Sequence, residues 1–90
     1  MQIIWTRPAL TDRNIIYSYI EARNPRAALA LDELFSKKSQ LLARHPYMGR
    51  PGAIPNTREL VVHPNYVLFY AITRTHISIM RVKHVAQKFP

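Results

Sequence analysis

Residues 58–83, RELVVHPNYVLFYAITRTHISIMRVK, hold three β-branched and aromatic runs separated by two short polar breaks. Runs of this length with turn residues between them predict an antiparallel meander for the last third of the chain. The strands are expected at Arg58–His63, Tyr66–Thr73 and His76–Lys83, with turns at Pro64-Asn65 and Arg74-Thr75. In the middle run Tyr66, Leu68, Tyr70 and Ile72 alternate with Val67, Phe69 and Ala71. Both faces of that strand are therefore apolar, which places it centrally in the sheet.

The first half reads differently. Residues 2–6, QIIWT, form a short strand-like run. Thr6 can then cap a helix that tolerates Pro8 in its first turn. Along that helix Ile15, Ile16, Tyr19 and Ile20 share one face, and Thr11, Asn14, Ser18 and Glu21 the opposite one. Asn24-Pro25 is a restart signal, an N-cap followed by proline at the first helical position. The second helix is expected from Pro25 to Arg44, with Ala27, Ala28, Leu31, Leu34, Phe35, Leu41 and Leu42 as its apolar stripe. So short a connection makes the helices an antiparallel hairpin. Residues 46–57 hold three prolines and both glycines of the chain and read as an ordered loop. The expected fold class is α+β: an N-terminal strand, an antiparallel helix hairpin, then a three-stranded antiparallel meander. The hairpin covers one sheet face and leaves the other for a groove or a partner.

Ninety residues make a single domain, 1–90. The chain has no cysteine, which excludes disulfides and thiolate metal sites. No apolar run approaches the ~18 residues of a membrane span, and a cytoplasmic location is expected. The net charge of +8 is uneven. Arg7, Arg13, Arg23 and Arg26 are cancelled by Asp12, Glu21, Asp32 and Glu33, so residues 34–90 carry the whole excess, with Glu59 as their one acid. Such asymmetry points to an acidic partner, either nucleic acid or an acidic protein segment.

Candidate chemistry is confined to a few types. There is no Gly-rich phosphate loop, no HExxH or Cys/His metal spacing and no nucleophile elbow. The acids on the helices, Asp12 among them, read as solvated helix charges. Arg58, His63, Tyr66, Arg81, Lys83, His84 and Lys88 remain. These types suit attack of an RNA 2′-hydroxyl on its neighbouring phosphate: His63 and His84 as base and acid, and Arg58, Arg81 and Lys83 holding the developing charge. The same set without catalytic geometry is an anion-docking surface. His63 precedes Pro64 and also reads as a turn histidine, and Arg58 can simply pair with an acid.

HPYMGRPG at 45–52, TRELVVHPNYVLFYAI at 57–72, IMRVKHVAQKFP at 79–90 and the opening IIWTRPALTDRNIIYSYI at 3–20 resemble the RelE/ParE superfamily of toxins from type II toxin–antitoxin modules. The resemblance spans nearly the whole chain. It implies one of two activities: RelE-like members are ribosome-dependent mRNA endonucleases, whereas ParE-like members inhibit DNA gyrase. In the nuclease branch the third strand typically begins with tyrosine followed by a catalytic arginine, where this chain has Val67 after Tyr66. The ending, Arg81-Val82-Lys83-His84 with Phe89-Pro90 at the terminus, is similar to the ParE side. The resemblance therefore implies a ParE-like gyrase inhibitor that blocks replication by protein–protein binding, without catalysis, cofactor or metal. Arg81, Lys83, His84, Lys88 and Phe89 are expected to face the target, and Arg58, Tyr66, Phe69 and Arg81 an antitoxin, whose binding segment is often acidic. One alternative is a RelE-like nuclease acting on mRNA at the ribosome through His63, His84, Arg81 and Arg58. The other is a non-toxic remnant that only binds antitoxin.

Overall fold

The computed structural model describes residues 1–86. Strand β1 (Gln2–Trp5) leads into helices α1 (Arg7–Glu21) and α2 (Pro25–Arg44), followed by β2 (Arg50–Pro51), β3 (Arg58–His63), β4 (Tyr66–Ile72) and β5 (His76–His84). They form one sheet in the order β1-β5-β4-β3-β2. β1 runs parallel to β5, and the helix hairpin lies on the path between them, the long connection that parallel pairing demands. The remaining neighbours pair antiparallel, with β4 central as its two apolar faces require.

Local capping explains where the helices begin. The Thr6 hydroxyl accepts the Ala9 N–H at 3.3 Å, and Asn24 Oδ1 accepts that of Ala27 at 3.1 Å. Pro25 directly follows the second cap, where a missing N–H costs nothing. Arg13 clamps the hairpin: its guanidinium donates to Asp32 Oδ1, the Asp32 carbonyl and Ser36 Oγ, each at 3.0 Å, and lies 4.5 Å from the centre of the Trp5 ring.

The core is the layer between hairpin and sheet. Ala9, Leu31, Phe35 and Leu42 meet Leu60, Val62, Leu68, Tyr70, Ile77, Ile79 and Val82. Three sequence-based expectations need correction. Arg50–Pro51 is not loop but an edge strand against Arg58 and Glu59, where proline's lost donor is tolerated. Ala27 and Leu41, assigned to the apolar stripe of α2, are exposed. On the sheet face away from the hairpin, Val67 and Phe69 are 7% and 8% exposed and line a small hollow of about 210 Å³ with Arg50, Glu59, Lys83 and His84, so that face is not an open apolar surface.

A bulge in β5 matters for the site. Phe69 pairs with Arg81 but Tyr70 with Ile79, leaving Met80 unmatched. Simple alternation from Ile77 and Ile79 would send Arg81 to the core. The extra residue lets Val82, 2% exposed, take that place instead.

Candidate functional site

β1 ends at Trp5, whereas β5 continues to His84, so the second half of β5 has no strand beside it on that edge. α1 takes over. Thr6 donates its N–H to the Ile79 carbonyl at 3.0 Å, and its hydroxyl lies 2.9 and 3.1 Å from the carbonyls of Ile79 and Met80. Further along, Asp12 Oδ2 accepts the Val82 N–H at 2.9 Å and Arg81 Nε at 2.8 Å, while Oδ1 accepts Arg81 Nη2 at 3.0 Å. The reading of Asp12 as a solvated helix charge is therefore wrong: its side chain is 12% exposed and serves as a surrogate strand partner. Burial by itself pushes this carboxyl upward. The hydrogen bonds from Arg81 and Val82, with the charges of Arg81 and Lys83, outweigh it and hold the pKa below the ordinary 3.8.

Where α1 and β5 diverge past this point, a groove of about 550 Å³ opens. Asp12, Ile15, Ile16 and Tyr19 line it from α1, at i, i+3, i+4 and i+7 on one helix face, and Tyr66, Arg81, Lys83 and His84 from the sheet. Ile15 and Tyr19 were placed with Ile16 and Ile20 on a single apolar face. Ile16 and Ile20 do pack against the core, but Ile15 and Tyr19 are each 63% exposed. Their spacing matched a core stripe, but their side chains line the groove instead.

Tyr66 forms the end wall. Its ring centre lies 5.9 Å from His63, 5.3 Å from His84 and 5.9 Å from Phe35. Burial, and secondarily the neighbouring Tyr19 hydroxyl, push the Tyr66 phenol above its ordinary 10.0, so at neutral pH it stays a neutral donor. The two histidines share a local arrangement. His63 Nδ1 accepts the Asn65 N–H and His84 Nδ1 that of Ala86, both at 3.0 Å. Each neutral ring consequently carries its proton on Nε2.

Arg58 lies elsewhere. It pairs with Tyr70 at the start of β3, whereas His63 pairs with Tyr66 at its end, five residues or roughly 17 Å along an extended strand. Its guanidinium donates to the Gly49 carbonyl through Nε at 3.1 Å and through Nη2, and lies 5.2 Å from the centre of the Tyr47 ring. Arg81, Lys83, His84 and Tyr66 thus come together, His63 adjoins them through Tyr66, and Arg58 does not join them. Phe69 lies on the sheet face away from the hairpin, paired with Arg81 and lining a small hollow with Lys83 and His84, and Lys88 and Phe89 fall outside the described residues. Among the described residues no group of three or more His, Cys, Asp or Glu is placed to hold a metal ion, and no helix is long and apolar enough to cross a membrane. Chemically the groove offers an apolar floor, two phenols and the Lys83 ammonium, which suits an anionic segment with apolar anchors.

Comparisons with known proteins bear on the family and the fold. Residues 3–89 match the family model described as ParE toxin of type II toxin-antitoxin system, parDE. The chain is 38% identical to Y4kP of Sinorhizobium fredii, covering 99% of this chain and 93% of that protein. It is 36% identical to Toxin RelE2 of Caulobacter vibrioides, covering 96% and 97% respectively. Among solved structures, a chain of the chromosomal ParDE system from P. aeruginosa superposes with a TM-score of 0.85 at 25% identity, covering 94% of this chain and 96% of that one. A chain of the RelBE2 toxin–antitoxin complex from Mycobacterium tuberculosis superposes at 0.60 with 26% identity, covering 92% and 95%.

Proposed function

This chain belongs to the ParE toxin family of type II toxin–antitoxin systems, and from that premise we propose that it arrests growth by binding DNA gyrase and blocking replication, without chemistry of its own. The observation that carries this reading is the commitment of both candidate phosphate-clamping arginines to the fold. Arg81 is held by Asp12, and Arg58 is held by the carbonyl of Gly49 at the far end of β3. Val67, where the nuclease branch carries an arginine, is an aliphatic residue 7% exposed. Among the described residues, the candidate cation left for a phosphorane beside the histidines is Lys83.

The groove between α1 and β5 is the docking site for a cognate antitoxin. Ile15, Tyr19 and Tyr66 give apolar and aromatic anchors, and Lys83 attracts an acidic segment. The relative from Mycobacterium tuberculosis was solved as a toxin–antitoxin complex, which supports this partner class. Arg81 lines the groove as well but reaches a target only by leaving Asp12, so Lys83 and His84 form the accessible part of the target-facing end.

Purified protein should inhibit gyrase supercoiling, or trap cleaved DNA, at micromolar concentration and without ribosomes. Absence of any gyrase effect, together with ribosome-dependent mRNA cleavage that disappears in the His63→Ala, His84→Ala double variant, would replace this reading with the nuclease. The clustering of two imidazoles around Tyr66 is the observation favouring that second reading.

A further inference from the structure

The other end of the molecule carries a surface that neither the groove nor its occupant explains. Residues 34–58 contain five Lys and Arg and no acid. In the fold this stretch is the second half of α2 and the segment running into β2 and β3. Lys37, Leu41 and Arg44 follow one another at i, i+4 and i+7 along α2, and Tyr47 and Met48 continue the surface beyond the helix end. Tyr47 is 73% exposed, Met48 42% and Leu41 38%. Two hollows of about 570 Å³ each share Arg44 as a wall, one on the α2 side and one toward Tyr47 and Met48. Among the described residues, none of the three ion pairs uses Lys37 or Arg44.

The exposed aromatic is presented by a rigid backbone. The Tyr70 hydroxyl donates to the Pro46 carbonyl at 2.7 Å and accepts the Gly49 N–H at 3.0 Å, and Arg58 ties down the Gly49 carbonyl. A loop pinned at both ends holds Tyr47 and Met48 at little further entropic cost on binding. Tyrosine, methionine and arginine around an aliphatic centre are the composition of a protein-binding hot spot, not of a merely solvated helix end.

We propose that Lys37, Leu41, Arg44, Tyr47 and Met48 form a second docking surface, for an acidic segment of a partner protein carrying apolar side chains, occupied independently of the α1–β5 groove. Charge complementarity identifies the occupant: the surface has cations on either side of its apolar centre and no acid between Lys37 and Met48, the nearest in sequence being Glu33 one turn before Lys37. Independence follows from the topology. This surface adjoins the Arg58 and Tyr70 end of the strands, whereas the groove adjoins the Tyr66 and His84 end, roughly 17 Å away along the strands. A molecule with both surfaces filled is then a bridge between two proteins. The inference does not depend on whether the target is gyrase or the ribosome.

The test is an amide-shift titration of the ¹⁵N-labelled full chain at physiological salt. The probe is a dodecapeptide of alternating Glu and Leu with one central Phe. A Tyr19→Ala, Lys83→Glu background blunts the groove. The proposal expects shifts concentrated at residues 37–48. It also expects affinity to fall about tenfold on Arg44→Glu or Tyr47→Ala, a typical size for hot-spot truncation, while melting temperature stays unchanged because both side chains are exposed. The same peptide with Gln for Glu, and a polyglutamate of equal length, should each bind about tenfold more weakly, since both charge and anchors are needed. No shift at 37–48 up to millimolar peptide would overturn the proposal. So would equal binding of the Gln peptide or of polyglutamate, or tighter binding of an oligothymidine at the same residues, which would make the surface a nucleic-acid site.

Discussion

Asp12 on the first helix and Arg81 on the last strand, 69 residues apart, meet in a two-pronged ion pair of 2.8 and 3.0 Å. The same carboxylate takes the Val82 N–H, so one side chain closes three donors at the point where β1 has ended and β5 goes on alone. This contact ties α1 to β5 beside the groove that both elements line. Asp12→Ala is expected to lower stability by about 2 kcal/mol, the cost of leaving a partly buried charge and a backbone donor without their acceptor. Asp12→Asn, which keeps an acceptor for Val82, should cost less. Urea denaturation of the three proteins measures both differences, and equal stability of Asp12→Ala and the parent would mean that water replaces the carboxylate without loss.

The same pair makes stability depend on pH in a definite direction. The folded-state pKa of Asp12 lies below its unfolded value, so ionised Asp12 favours the folded state. Its contribution is fully present above the ordinary value of 3.8 and is lost as pH falls through the depressed folded value. The stability gap between the parent and Asp12→Asn should therefore be constant from neutral pH down to about 5, and shrink below about 4. Denaturation midpoints measured across that range test this, and a gap that persists at pH 2 would assign the effect to packing.

Much of this architecture is legible in the residues. The three long strands follow from period-two runs between polar turns, and both helix starts from Thr6 and Asn24-Pro25, because capping and alternation are local. What escapes is nonlocal. The parallel pairing of β1 with β5 joins the two ends of the chain, and the two residues of β2 are too few to show any period. Asp12 carried a weak signal, as a lone acid on a face with Ile15, Ile16 and Tyr19, but its partner depends on the unmatched Met80, which alternation cannot foresee. Arg58 read as a candidate cation because its carbonyl partners at Gly49 and Tyr47 are backbone atoms, invisible to any pattern of side chains.

Gly49 shows how closely that loop approaches the sheet. A Cβ added there would lie 2.5 Å from the Glu59 carbonyl oxygen and 2.8 Å from the Tyr70 hydroxyl. One is strand backbone, and the other is held between Pro46 and Gly49, so neither can yield cheaply. Gly49→Ala is expected to destabilise by about 1–3 kcal/mol, the usual range for overpacking, and to release the Tyr47 segment. A thermal melt measures the first effect, and faster amide exchange at residues 46–49 the second. An unchanged melt would show that the loop can lift from β3 freely.

The groove prediction turns on side chains that do little for folding. Ile15 and Tyr19 are mostly exposed, so Ile15→Asp and Tyr19→Ala should leave stability within about 0.5 kcal/mol of the parent, as surface changes usually do. If the groove receives the antitoxin, each should nevertheless weaken that complex at least about tenfold, the size expected when a central anchor is removed or a like charge is set against an acidic segment. Lys83→Glu should act mainly on the association rate, and its effect should fade as salt is raised, because a rim charge steers more than it holds. Titration calorimetry and stopped-flow binding with the cognate antitoxin separate these contributions. Full affinity in the Ile15→Asp, Tyr19→Ala double variant would move the antitoxin off this groove and leave it to the target alone.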